Sequence, residues 1–200
     1  MNEPIKEFTS SIPFWQPRVT PLEIERASDA QLDAMKVTVS NTKIGEYTLV
    51  LALDPETLQQ RTPLFNGIMY GQGGLSRAET ELGAVAASVV NRCIYCAAVH
   101  ADRYNQLTKD ESVMGSILAE GQNTRLDDRQ TALLEFATNL SKCPSEATTS
   151  NMECLVENGL SMGEVLDLVL AASLFGWANR LMHVLGAVSY THLRAPETLR

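Results

Sequence analysis

The sequence predicts an all-α fold, on three observations. Apolar residues recur at three- and four-residue spacing through most of the chain from Ile44 onward. Helix starts are written in capping chemistry: Asp54-Pro55, Ser76 with Glu79 three residues on, and Ser161 with Glu164. No alternating apolar–polar run of strand length competes.

Taken in order, residues 1 to about 20 are rich in Pro, Ser and Thr, with Phe8, Phe14 and Trp15 interspersed. They read as an extended arm whose aromatics pack on something, a neighbouring subunit being one option. Leu22, Ile24, Leu32 and Met35 give Pro21 to Lys36 a weak helical spacing, and Val37 to Thr42 reads as a linker. A helix is expected over Ile44 to Leu53, and a second from Asp54 to about Tyr70, where Gly71-Gln72-Gly73-Gly74 breaks it. The third starts at Ser76 and carries Leu82, Val85, Ala86, Val89 and Val90. A cysteine-bearing segment opens the fourth, to about Leu107. A short helix follows from Asp110 to near Gly121. The next begins at Asp127 or Asp128, with Leu133, Leu134, Phe136, Ala137 and Leu140 on its apolar side, and Cys143-Pro144 ends it. Thr149 to Glu157 forms a short helix closed by Gly159, and Ser161 starts the last long one. The pattern stops near Val188. The organisation is therefore an arm and linker over 1–43, one helical domain over 44–188, and a tail over 189–200 that looks foreign to the fold and is excluded from functional reasoning.

Size and composition narrow the function. A chain of 200 residues with 44% apolar and 20% charged residues can bury a real core. Its net charge of −8 repels phosphate backbones, and no basic patch offsets it, so nucleic acid is not an expected partner. The N-terminal residues have no apolar run. The most hydrophobic stretch, Val165 to Ala178, is too short to span a bilayer and contains Asp167. No membrane association is expected, and the cytoplasm is the expected compartment.

In a reducing compartment, a pair of cysteines three residues apart reads as redox-active or metal-binding. Cys93 and Cys96 are such a pair, and His100 lies four residues further along the same helical face. If Cys93 opens the helix, the free N–H groups and the dipole favour a thiolate in the first turn. That thiolate would attack a peroxide or a disulfide, and the two thiols can close into a disulfide. His100 can move a proton near neutral pH. Glu81 lies on the preceding helix, on a face with Val85 and Ser88, where it could point at the cysteines as a relay. Each has a plainer reading: a lone histidine is ordinarily a surface or capping residue, and most helical glutamates are solvated. Tyr95 and Trp177 read as packed aromatics, Arg180 as one half of an ion pair, and Cys143 and Cys154 as inert thiols.

The run from Leu75 to His100 resembles the alkylhydroperoxidase D and carboxymuconolactone decarboxylase superfamily, on its peroxidase-related branch. That pattern has a Glu twelve residues before the first Cys, then C-x-x-C, then a His four residues after the second Cys. Glu81, Cys93, Cys96 and His100 occupy all four positions. The Gly-Leu-Ser turn at 159–161 and the Phe-Gly-Trp-Ala-Asn-Arg helix also fit, so the resemblance covers roughly residues 44 to 188. It implies an alkylhydroperoxidase-like helical fold in trimers or hexamers, with Cys96 as the peroxidatic thiol and Cys93 as the resolving one. His100 and Glu81 would relay protons. A dithiol partner, such as a lipoylated or thioredoxin-like protein, would be the reductant, with no metal or organic cofactor. Where some members carry a histidine between the cysteines, this chain has Tyr95.

The expected function is thus a thiol peroxidase acting on hydroperoxides. The rivals are a decarboxylase or isomerase acting on a lactone by acid–base chemistry, and a structural metal site. The metal site would draw on Cys93, Cys96 and His100, with Cys143, Cys154 or His183 as the fourth ligand. A non-catalytic oligomeric scaffold is a further rival.

Overall fold

The computed structural model describes residues 7–36 and 44–189. The elements run β1 (Phe14–Pro17), α1 (Asp29–Met35), α2 (Glu46–Leu51), α3 (Pro55–Tyr70), α4 (Arg77–Val90), α5 (Ile94–Thr108), α6 (Ser112–Glu120), α7 (Asp128–Ser141), α8 (Thr149–Glu157), α9 (Met162–Leu185) and β2 (Gly186–Ser189). The fold is the all-α one the sequence predicts, with a two-stranded clasp added.

The caps form as written. Asp54 accepts from the Thr57 backbone N–H at the start of α3, and Ser76–Glu79 and Ser161–Glu164 both close as capping boxes. Ser28–Gln31 and Thr148–Asn151 add two more boxes that sequence reading passed over. The expected linker over Val37 to Thr42 lies outside the described residues, as does the tail beyond Ser189.

Helix α4 is the centre. Every residue from Thr80 to Ser88 is buried, so the helix is enclosed on all sides by α5, α7 and α9. Before α4, Gly74 passes so close to Asp167 that a Cβ there would overlap its carboxylate. That carboxylate accepts from the Leu75 N–H at 3.0 Å and so ties the entrance of α4 to α9. Helix α9 spans 24 residues, longer than the apolar stretch read from sequence, and is by length and composition able to cross a membrane. It packs as a core helix instead: Val165, Leu168, Ala171, Phe175 and Met182 are buried against the chain's own helices.

One expectation is made specific and another is corrected. The arm is a strand where it matters: Phe14–Pro17 pairs antiparallel with Gly186–Ser189, with Trp15 opposite Val188. Trp15 is buried in its own chain's core and donates its indole N–H to the Met182 carbonyl at 3.2 Å. Trp177, read as core, is 41% exposed, because α9 is apolar nearly all round and its outer face carries large side chains too.

Gly186 makes the clasp possible. A Cβ there would sit 2.1 Å from the Trp15 ring. Gly186→Ala is expected to displace the indole and cost about 1–3 kcal/mol by overpacking. Thermal unfolding followed by tryptophan fluorescence measures it; an unchanged melt would show that Trp15 does not lie against this strand.

Candidate active site

The site is built on the turn between α4 and α5. Asn91 caps α4, Arg92 takes the left-handed conformation with φ 55°, and Cys93 is the N-cap of α5. The left-handed step costs on the order of 1–2 kcal/mol for a residue with a Cβ. It turns the chain so that the Cys93 N–H donates back to the Ser88 carbonyl at 2.8 Å. Asn91 is held from three directions: its amide donates to the Ala87 carbonyl and the Asn179 side chain, and its own carbonyl accepts from His183 Nε2 at 2.8 Å. Cys93 therefore does open the helix, and Cys96 lies in its first turn, where N–H groups are unpaired.

Both thiols are free, and both are buried, Cys93 at 2% and Cys96 at 6% exposure. They hydrogen-bond to each other. The Cys96 thiol lowers Cys93 below the ordinary thiol value, burial opposes this, and the Asn179 amide assists. Cys96 is pushed well above the ordinary value by the same hydrogen bond, by burial and by the charge on Cys93, with Asn179 opposing. The pair thus gives up one proton readily and the second with difficulty.

Glu81 is 0% exposed, two helical turns before Ser88 on α4. Its Oε2 meets His100 Nδ1 at 2.5 Å, and its Oε1 accepts from Arg77, which also donates to the Met69 carbonyl and lies over the Tyr70 ring. Burial alone would raise this carboxyl. The charge and hydrogen bond of His100, and then those of Arg77, outweigh it and hold Glu81 below its ordinary value. A buried carboxylate anchored from both sides fixes the histidine ring and its tautomer. The ring also stands edge-on to Phe175, with centroids 4.3 Å apart. The structure thus brings all four sequence-predicted residues together, Cys93 and Cys96 as one pair and Glu81 and His100 as another.

The two sulfurs face different spaces. Cys96 and His100 line a cavity of about 250 Å³ walled by Tyr47, Arg61, Phe65, Tyr95 and Phe175. Cys93 lines a second, of about 210 Å³, beneath the clasp with Trp15, His183 and Gly186.

Sequence reasoning missed three contributors. Asn179 is fully buried and joins Ser88, Asn91 and the thiols. Arg77, not Arg180, pairs with the buried acid, and the i,i+4 spacing of Arg77 and Glu81 was the available signal. Arg180 instead donates to the Gly176 carbonyl. Arg61 carried no signal at all. The ligand set imagined for a metal does not assemble. Cys143 is exposed and Cys154 half-buried, the Asn158 amide lying 3.6 Å from the Cys154 sulfur, and no three His, Cys, Asp or Glu side chains among the described residues are placed to share an ion.

Residues 55–111 match the model of the carboxymuconolactone decarboxylase family. No curated protein matches the chain. Among solved structures, a peroxidase-related protein with an alkylhydroperoxidase core from Ralstonia eutropha JMP134 is 24% identical, with a TM-score of 0.75 over 84% of this chain and 90% of that one. A peroxidase-related protein from Silicibacter sp. TM1040 is 22% identical, with a TM-score of 0.62 over 82% and 93%. A debrominase is 17% identical, with a TM-score of 0.70 over 84% and 89%. At these identities the likeness is one of fold.

Proposed function

We propose that this chain is a member of the alkylhydroperoxidase D and carboxymuconolactone decarboxylase superfamily and a thiol peroxidase reducing hydroperoxides through a Cys93–Cys96 dithiol–disulfide cycle. One observation carries the reading: Cys96 and a histidine anchored by a buried carboxylate open onto the same cavity.

The proton in the Cys93–Cys96 hydrogen bond crosses to Cys93, leaving a thiolate on Cys96. That sulfur attacks one peroxide oxygen, so an S–O bond forms and the O–O bond breaks. The departing alkoxide takes a proton from His100, which Glu81 holds in place, and leaves as an alcohol. Cys96 is then a sulfenic acid. Cys93 gives up its proton and attacks the Cys96 sulfur, a disulfide forms, and the hydroxyl leaves as water. An external dithiol, of lipoyl or thioredoxin type, is oxidised as it reduces that disulfide. Acid–base chemistry on a lactone could use Glu81 and His100 alone, but it leaves the hydrogen-bonded thiols without a task.

The test is stopped-flow mixing of the pre-reduced protein with cumene hydroperoxide. One equivalent should be consumed, with an internal disulfide as product. If the peroxide is untouched while a disulfide oxidant still closes the pair, the protein is a dithiol exchanger and the peroxidase reading falls.

The reading includes a homo-oligomer. It is supported by Leu64, Leu170 and Trp177, which stay exposed around an apolar groove of about 450 Å³ on α3 and α9. Light scattering should give a multiple of 21.9 kDa, and Trp177→Asp should lower that mass. A monomeric wild type would remove the oligomer from the reading.

A further inference from the structure

The wall of the Cys96 cavity opposite the cysteine helix is formed by α2 and α3, and its polar atoms are unsatisfied. Tyr47 Oη, Arg61 Nε and Thr62 Oγ1 are all buried with no hydrogen-bond partner among the described residues. All three residues line the same cavity as Cys96 and His100. Unpartnered buried polar groups are uncommon, and each costs roughly 1–3 kcal/mol wherever nothing compensates it. Three on one cavity wall point to a missing acceptor.

The charge says which kind. No acid pairs with Arg61 among the described residues. The guanidinium lies 4.4 Å from the Phe65 centroid and 6.0 Å from that of Tyr47. Burial lowers its pKa, and only the two tyrosines Tyr47 and Tyr70 oppose that. The stretch from 37 to 43, outside the described residues, contains no Asp or Glu. The one buried carboxylate in the cavity, Glu81, has both oxygens engaged, by Arg77 and His100. Tyr47 remains a protonated donor at neutral pH, because burial pushes its phenol up to about 12. A guanidinium and two hydroxyls facing a space without an anion match a carboxylate. The apolar part of the lining is Phe65, Val99, Phe175, Ala178 and Met182. A cavity of about 250 Å³ suits a compact ligand rather than a long acyl chain.

We propose that Arg61, Tyr47 and Thr62 form a carboxylate subsite, so that the substrate is a compact hydroperoxide whose apolar or aromatic body carries a carboxylate. This rests on the peroxidase reading for the word hydroperoxide, but not for the carboxylate. The carboxylate lies against Arg61, the apolar body against Phe65 and Phe175, and the peroxide end reaches Cys96 and His100.

Two arms separate the claims. In the first, the reduced protein is titrated calorimetrically with 4-isopropylbenzoate, which has the body and the carboxylate but no peroxide, and with acetate, which has only the carboxylate. The benzoate should bind and acetate should not. Arg61→Met should weaken benzoate binding about 10- to 100-fold, the range of a charge-assisted contact. Arg61→Lys should retain part of it, and Tyr47→Phe should weaken it less than Arg61→Met does. If Arg61→Met fails to fold by circular dichroism, the lysine and phenylalanine variants decide. In the second arm, cumene hydroperoxide is compared with its para-carboxylate. The carboxylate should react about 10- to 100-fold faster at limiting concentration, and the lysine variant should narrow that ratio. If the benzoate binds while neither hydroperoxide is consumed, the subsite stands and the peroxidase reading falls. If the benzoate does not bind and the two hydroperoxides react alike, the subsite is overturned and the peroxidase reading stands. Equal binding of acetate would overturn the claim that the apolar wall selects the ligand.

Discussion

Cys96→Ser is expected to abolish peroxide consumption, lowering the rate on the order of 10³-fold or more, as loss of an attacking group does. Cys93→Ser should behave differently. It should consume one equivalent, form no internal disulfide, and leave a sulfenic acid on Cys96 that dimedone traps and mass spectrometry locates. The asymmetry follows from the cavities, since Cys96 shares its space with His100 and Cys93 does not. Electrostatics adds a pH signature. The wild-type thiolate forms below the ordinary value of 9.0, because Cys93 is stabilised by the Cys96 hydrogen bond and by Asn179. Alkylation of the wild type should therefore rise with pH with a midpoint below 9.0. Removing Cys93 deletes that early step and leaves Cys96 between burial, which raises it, and the Asn179 amide, which lowers it, so the Cys93 phase should disappear from the profile. Were dimedone to label Cys93 in Cys96→Ser after peroxide treatment, the roles would be reversed and the favoured thiolate would be the attacking one.

Much of this could be read locally. Capping boxes state helix starts in four residues, and Ser76–Glu79 and Ser161–Glu164 formed where they were expected. The CxxC and His100 sit on one helix, so their convergence needs only the 3.6-residue period. Glu81 required one further inference, that the face shared with Val85 and Ser88 turns inward, and α4 proved buried on every side. What escaped depends on contacts distant in sequence. The β1–β2 clasp joins residues about 170 positions apart through strands of four residues, one holding Pro17 and the other Gly186, neither with an alternating pattern. Trp177 escaped because an apolar helix does not say which of its faces is covered. Arg61, Tyr47 and Thr62 escaped because an unsatisfied polar atom is a property of the space around it and has no signature in the residue string.

Glu81→Gln is expected to affect rate and stability together, and the pH dependence of stability separates this from a general packing defect. The amide keeps the size of the carboxylate but drops the charge that Arg77 and His100 share. Removing one partner from a buried ion pair costs about 3–5 kcal/mol, because the other charge is left without compensation. His100 would lose its fixed orientation, and general acid–base assistance is worth about 10²–10⁴-fold, so the rate should fall by at least about 10²-fold. Glu81 is held below its ordinary carboxyl value of 4.5 in the folded chain. A depressed folded value means a contribution fully present above the unfolded value and lost as pH falls through the folded one. Wild-type stability should therefore decline below about pH 4.5 more steeply than that of Glu81→Gln, which has no such proton to take up. Denaturant unfolding at a series of pH values gives both slopes. Parallel slopes would mean that the Glu81 carboxyl ionises no more readily in the folded chain than in the unfolded one, and a shallower wild-type slope that it is neutral when folded; either result would remove the stabilised charge from the relay through His100.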